Sequence, residues 1–305
     1  MIYEVAIDPE ILLEWAQSER DTCFYYKDYG NGTPRILSTF PKSKVHKLRS
    51  YLIKKIDVLE KVEDQIRYEE MVKSLGRHVY QRDCENIDSS IGWYENVANQ
   101  STSFDIVLTK QRIECKNSIS LKDLYNSDVY KLKNEISFSR NSEDFIKVIK
   151  NLLQLTSERV IVIDPYAYTD DAIKIIADML IELSKRRNKS KHVEFTVVYK
   201  GKIERNADKA PYAKAYKQLL LNKLSEPLEN ITIKVLHIAE NEGSDAFHNR
   251  YILNELAGIK LGYGLGFKED KKHHTDEASI LDEDIYNKLW RKYVTQLEFD
   301  IVSTD

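Results

Sequence analysis

The sequence predicts an α/β protein of two domains: an N-terminal α+β domain with a β-hairpin over residues 1–138, and a C-terminal domain over 139–305 whose mixed sheet carries helices on both faces. Three observations predict this. The second half alternates short apolar runs with amphipathic stretches of helical length, the pattern of strands separated by covering helices. The first half strings helices together before one pair of strand-like segments. Between them, Ile119 to Arg140 is polar and lacks β-branched runs, which places the boundary near residue 138.

A short strand opens the chain, and a helix follows from about Pro9 to Arg20. The run Gly30-Asn31-Gly32 marks a turn. A long helix begins near Ser43, because Val45, Leu48, Leu52, Ile56 and Leu59 recur at helical spacing and give it one apolar face. Another helix runs from about Val62 to Leu75 and stops at Gly76, a C-terminal glycine. After an irregular polar stretch from Asp83 to Ser103, Phe104-Asp105-Ile106-Val107-Leu108 and Arg112-Ile113-Glu114-Cys115-Lys116 read as two strands of a hairpin turning at Thr109-Lys110-Gln111.

In the second half a helix from about Glu143 to Leu155 leads into Val160-Ile161-Val162-Ile163-Asp164, a continuous apolar run typical of a strand covered on both faces. A helix from about Asp170 to Arg187, a strand from Val193 to Tyr199 and a helix around Tyr212 to Leu224 come next. Strands from Ile231 to Ile238 and Arg250 to Leu253 precede the hairpin-like Gly258 to Gly264, and a helix from Asp284 to Val294 closes the fold.

Charged residues make up 31% and hydrophobic ones 42% of the chain, the proportions of a globular protein without fibrous or low-complexity character. No window approaches the ~18 consecutive apolar residues of a membrane span, and Met-Ile-Tyr-Glu-Val-Ala has no basic n-region, so a cytoplasmic location is expected. Three widely spaced cysteines, Cys23, Cys84 and Cys115, fit reduced thiols and form neither a disulfide framework nor a zinc cluster. A net charge of -3 confines nucleic-acid binding to local patches. Lys42, Lys44, His46, Lys47, Arg49, Lys54 and Lys55 form one basic cluster, and Lys185, Arg186, Arg187, Lys189 and Lys191 another; a solvated helix face or loop is the ordinary explanation of each.

The segment His248-Asn249-Arg250, followed by Glu255 and then by Ile259-Lys260-Leu261-Gly262-Tyr263-Gly264-Leu265, resembles the His-x-Lys-x4-Asp motif of the phospholipase D superfamily. It is most similar to the phospholipase-D-like C-terminal domain of MIT-domain proteins and its bacterial relatives. The resemblance covers roughly residues 141 to 294 and implies a metal-free phosphodiesterase. His248 would attack phosphorus, a second histidine would protonate the leaving oxygen, and Arg250 would hold charge on the phosphoryl oxygens, with Glu255 at the motif's acidic position. A single motif supplies one histidine, so the resemblance also implies a homodimer or partner subunits. Arginine for lysine, glutamate for aspartate and Tyr263 for a small hydroxyl residue depart from the family pattern. In MIT-type relatives such departures go with binding, so a non-catalytic adaptor for a partner protein, nucleic acid or phosphate-rich surface stands beside the enzyme.

The N-terminal hairpin offers a second site. Asp105 with Glu114-Cys115-Lys116 resembles the Asp…Glu-x-Lys core of PD-(D/E)XK nucleases, which implies Mg²⁺ held by Asp105 and Glu114 and a water positioned by Lys116. Glu114 and Lys116, two apart on a strand, would share a face. An ordinary surface hairpin explains the same residues. His237 lies on an apolar run and reads as a core histidine, His273-His274 as a solvated loop pair. The glycines at 262, 264 and 266 do not precede a helix and form no nucleotide fingerprint. Both candidate sites point to a nuclease or other phosphodiesterase acting on nucleic acid, DNA foremost. Similarity to bacterial defence components is the sole ground for an antiphage role, and lipid hydrolysis lacks an apolar interfacial segment.

Overall fold

The computed structural model describes residues 1–76, 78–200, 210–239, 249–267, 274–297 and 299–305. By its internal contacts the chain divides into two compact units, residues 2–133 and residues 134–305 together with Met1.

The first unit contains β1 (Tyr3–Ile7), α1 (Pro9–Ala16), α2 (Glu19–Asp28), β2 (Arg35–Leu37), α3 (Val45–Ile53), α4 (Val62–Ser74), α5 (Trp93–Ala98), β3 (Ile106–Thr109) and β4 (Ser118–Ser120). The expected first helix is two: Ser18 ends α1 and accepts a hydrogen bond from the Asp21 amide, capping α2. Gly30 and Gly32 both have positive φ, so the turn needs residues without a Cβ. Alternate apolar residues of β1 and β3 pack against α1, α2 and α4 around Ile11, Trp15, Tyr68 and Met71.

The four strands are ordered β2-β1-β3-β4, every pair parallel. This overturns the predicted hairpin. Residues 112–116 form no strand; Asn117, in the left-handed region at φ 62°, donates from its side chain to the Phe104 carbonyl, and the Val107 amide donates to the Asn117 carbonyl. The chain is thereby redirected, and β4 runs alongside β3 in the same direction. The unit is thus α/β around a small parallel sheet, where an α+β arrangement had been expected.

The second unit contains β5 (Glu135–Ser139), α6 (Ser142–Gln154), β6 (Arg159–Ile163), α7 (Asp170–Ser184), β7 (Val193–Lys200), α8 (Ala213–Leu221), β8 (Ile231–Ile238), β9 (Arg250–Asn254), β10 (Gly258–Leu261), β11 (Thr275–Ile280), α9 (Glu283–Trp290) and β12 (Ile301–Thr304). Its eight strands are ordered β12-β8-β7-β6-β9-β10-β11-β5. The β6, β7 and β8 strands are mutually parallel, and the remaining pairings are antiparallel. A boundary at 138 would cut through β5, which pairs with β11 along its whole length.

The uninterrupted apolar run of β6 is buried on both faces. Ile161 and Ile163 meet Tyr286 and Leu289 of α9 and Tyr293 in the helical turn after it. Their alternates Val160 and Val162 face the opposite side, where Tyr216 of α8 stacks on Tyr199 of β7 and α6, α7 and α8 pack in succession. Asn141, Thr169 and Asp282 cap α6, α7 and α9 by accepting from the amides of Asp144, Ala172 and Ile285.

Candidate functional site

The pairing directions of the second sheet bring many chain segments to one edge. Strands β6, β7 and β8 end there, the antiparallel β9 begins there, β10 ends, β11 begins and β5 ends. Crevices at the carboxyl ends of parallel strands are where open α/β sheets bind ligands, because turns and loops there leave polar groups unused by the ladder.

Asp164 follows the last apolar residue of β6 and is almost fully buried. Its Oδ1 accepts from the Tyr166 amide and its Oδ2 from the Leu265 amide, each at 2.8 Å. Arg250, first residue of β9, brings its Nε to 4.0 Å from Asp164 Oδ1. Burial pushes the Asp164 carboxyl above the ordinary range, while the two amides and the Arg250 charge pull the other way without prevailing. Arg250 Nε is buried and donates no hydrogen bond among the described residues, although 24% of the side chain is exposed. Gly264 lies against this pair: a Cβ there would stand 3.1 Å from Asp164 Oδ2 and 3.2 Å from Arg250 Nε.

A second ion pair flanks the first. Arg140, just past β5, is 3.5 Å from Asp276 of β11 and donates to the carbonyls of Gly264 and Gly266. Asp276 Oδ1 accepts from the Tyr263 amide at 3.1 Å. The 262–267 segment is therefore threaded between two buried carboxylates and pinned by an arginine. Beside it, Tyr216, Tyr199 and His237 form a buried stack, the His237 ring lying 4.9 Å from Tyr199 and nearly parallel to it. His237 is thus a core histidine.

Of the motif residues, Arg250 stands at this edge and His248 lies outside the described residues. Glu255 does not join Arg250. It follows the far end of β9, about 16 Å along the strand from Arg250 at ordinary strand rise. Its carboxylate accepts from the Ser157 amide and hydroxyl and from the Arg159 amide, tying the α6–β6 turn. Burial pushes its carboxyl above the ordinary range despite those bonds. His274 contributes its carbonyl to the Arg140 amide, and His273 lies outside the described residues.

The N-terminal set is not assembled as the hairpin had implied. Asp105 Oδ2 accepts from the Glu4 amide of β1, on one side of β3, whereas Glu114 and Lys116 sit in the turn leading to β4 on the other. Among the described residues no group of three or more His, Cys, Asp and Glu side chains is placed to hold a metal ion. These residues do not fit Mg²⁺ in this arrangement. The basic run near residue 186 is partly structural: Arg186 is buried and donates to the carbonyls of Lys191, Glu229 and Asn230. All three cysteines are free, and burial pushes the Cys84 thiol up to about 11.

Sequence reasoning missed Asp164, Arg140 and Asp276 as site residues. An acid directly after a four-residue apolar run and before a proline was a usable signal for Asp164. The polar strand Thr275–Ile280 gave none for Asp276.

No protein-family model and no curated protein matches the chain. Among solved structures it is similar to NucT from Helicobacter pylori, with 11% identity over 55% of this chain and 98% of that one and a TM-score of 0.34. It is also similar to a phospholipase D family member, Nuc from Salmonella typhimurium, with 6% identity over 55% of this chain and 97% of that one and a TM-score of 0.34. A third likeness is to TrmBL2, an archaeal chromatin protein with a novel mode of DNA binding, with 11% identity over 57% of this chain and 55% of that one and a TM-score of 0.32. Among the described residues no helix is long and apolar enough to cross a membrane.

Proposed function

We propose that the second unit is a phosphodiesterase acting on nucleic acid, with Arg250 as the phosphate-gripping cation and His248, two residues earlier in the sequence, as the nucleophile. The observation that carries this reading is the state of Arg250: its guanidinium is anchored beside a buried carboxylate at the carboxyl edge, yet its donors are not spent on the described residues. A planar guanidinium in such a position matches two oxygens of a phosphate and stabilises charge that develops on them without a metal. Asp164 is a positioning residue, keeping Arg250 at the edge and fixing the 262–267 segment through the Leu265 amide. One chain offers a single His248, so a second copy is the natural source of the proton donor for the leaving oxygen.

The test is cleavage of end-labelled DNA and RNA with and without EDTA. The reading predicts EDTA-resistant cleavage that falls at least about hundredfold in His248→Ala and in Arg250→Ala, as removal of a nucleophile or charge-stabilising donor does. Activity abolished by EDTA and by Lys116→Ala would move the chemistry to Asp105, Glu114 and Lys116. Binding that requires Arg250, with no cleavage under either condition, would make the unit an adaptor.

A further inference from the structure

Among the described residues, the exposed aromatic side chains of the second unit are Tyr166, Tyr212 and Tyr263, and all three stand at the carboxyl edge of its sheet. Scattered surface tyrosines have no reason to gather on one edge. Tyr166 and Tyr263 are tied to the Arg250 pair through the backbone: the Tyr166 amide donates to Asp164, and Tyr263 is joined to the Leu265 amide on the same carboxylate by Gly264. Tyr212 stands farther along the edge, with its ring against that of His237 at the end of β8.

Tyr263 is the most informative of them. The guanidinium of Arg140 lies over its ring at 4.9 Å from the centroid, and Arg140 is itself fixed by Asp276 and by the carbonyls of Gly264 and Gly266. The Tyr263 amide is held by the same Asp276. The ring is therefore buttressed on one face while 61% of the residue remains exposed. Arg140 also lies over the buried Phe267 ring, and its contact with the exposed Tyr263 adds only a little to folding. The arrangement does fit a planar ligand, because a cation behind the ring does not block the outer face.

We infer that Tyr263 and Tyr166 are stacking platforms for unpaired bases, so that the substrate class of this edge is single-stranded nucleic acid, its phosphate on Arg250 and its flanking bases on the two tyrosines. Bases in a duplex are stacked on one another and withhold their faces, whereas a single strand offers a base every nucleotide beside each phosphate. The inference rests on the phosphate-binding reading of Arg250 and adds the bases to it.

The experiment is fluorescence anisotropy of the full chain with four labelled 20-mers: oligo-dT, oligo-rU, an abasic strand of the same length, and a DNA duplex. Wild type is compared with Tyr263→Ala, Tyr166→Ala, Tyr263→Phe and Arg250→Ala. Wild type is expected to bind oligo-dT or oligo-rU at least about tenfold more tightly than the abasic strand and the duplex, the preferred sugar being read from the first two probes. Each Tyr→Ala change should weaken single-strand binding roughly tenfold and leave abasic binding unchanged, and Tyr263→Phe, which keeps the ring, should restore it. Equal affinity for duplex and single strand, or Tyr→Ala variants that bind oligo-dT and oligo-rU like wild type while Arg250→Ala weakens both, would overturn the stacking inference and leave the phosphate site standing. An unchanged affinity in Arg250→Ala for every probe would overturn both. Both tyrosines are exposed, so the alanine variants should melt with the wild type, which the same samples report.

Discussion

Glu255 illustrates how one side chain can fall at a motif's acidic position and still serve the fold. Its carboxylate satisfies the Ser157 amide and hydroxyl and the Arg159 amide, donors that would otherwise be left unbonded at the α6–β6 turn. Glu255→Ala is expected to cost about 2 kcal/mol in urea unfolding. Burial holds its folded pKa above the ordinary 4.5, so the folded chain holds this proton more tightly than the unfolded one. The proton-linked part of its contribution is fully present below pH 4.5 and is lost as pH rises through the folded value. Unfolding of wild type and Glu255→Gln from pH 4 to pH 8 should therefore show the wild type losing ground to the variant as pH rises; a gain would contradict this placement. At this scale Arg250 was legible only through the likeness of His248-Asn249-Arg250 to the phospholipase D motif, not through any local pattern of charge. Asp164, its partner 86 positions earlier, belongs to it only through the β6–β9 pairing, which no local pattern encodes.

At the scale of elements, the 262–267 segment is held so closely that its glycines become sensitive probes. A Cβ on Gly262 would stand 2.8 Å from Asp276 Oδ1, a carboxylate that is buried and already bonded. Gly262→Ala should lower stability by about 1–3 kcal/mol, the usual cost of overpacking a fixed site. Gly264→Ala meets the Asp164–Arg250 pair at 3.1 and 3.2 Å, a contact relieved by displacing the arginine. It should spare the melting temperature more than Gly262→Ala does and weaken oligonucleotide binding. Equal thermal losses with unaltered binding would show that the segment does not register on Arg250. Strands with long apolar runs, β6, β7 and β8, were legible because both-face burial writes itself into composition. The β11 strand was not: Thr275-Asp276-Glu277-Ala278-Ser279-Ile280 is polar on one face and its acid is buried by an arginine, which hydrophobic patterning cannot register. The N-terminal hairpin failed for a different reason. Strand spacing carries no direction, and the left-handed Asn117 made the pairing parallel.

For the whole molecule, a formal net charge of -3 leaves long-range attraction to nucleic acid weak, so affinity must come from a few placed cations. The chain's two units each carry a sheet with its own core, and the proposed chemistry needs only the second. Arg250 is the cation assigned to phosphate, whereas Arg140 is committed to Asp276 and to two carbonyls, and Arg186 to the chain around it. The most direct measurement is the salt dependence of single-strand affinity in wild type and Arg250→Gln, from low to physiological ionic strength. Loss of one phosphate contact should make the slope of log K against log salt shallower by about 0.7. Coincident slopes for the two proteins would contradict the assignment of Arg250 to phosphate, and with it the proposed site.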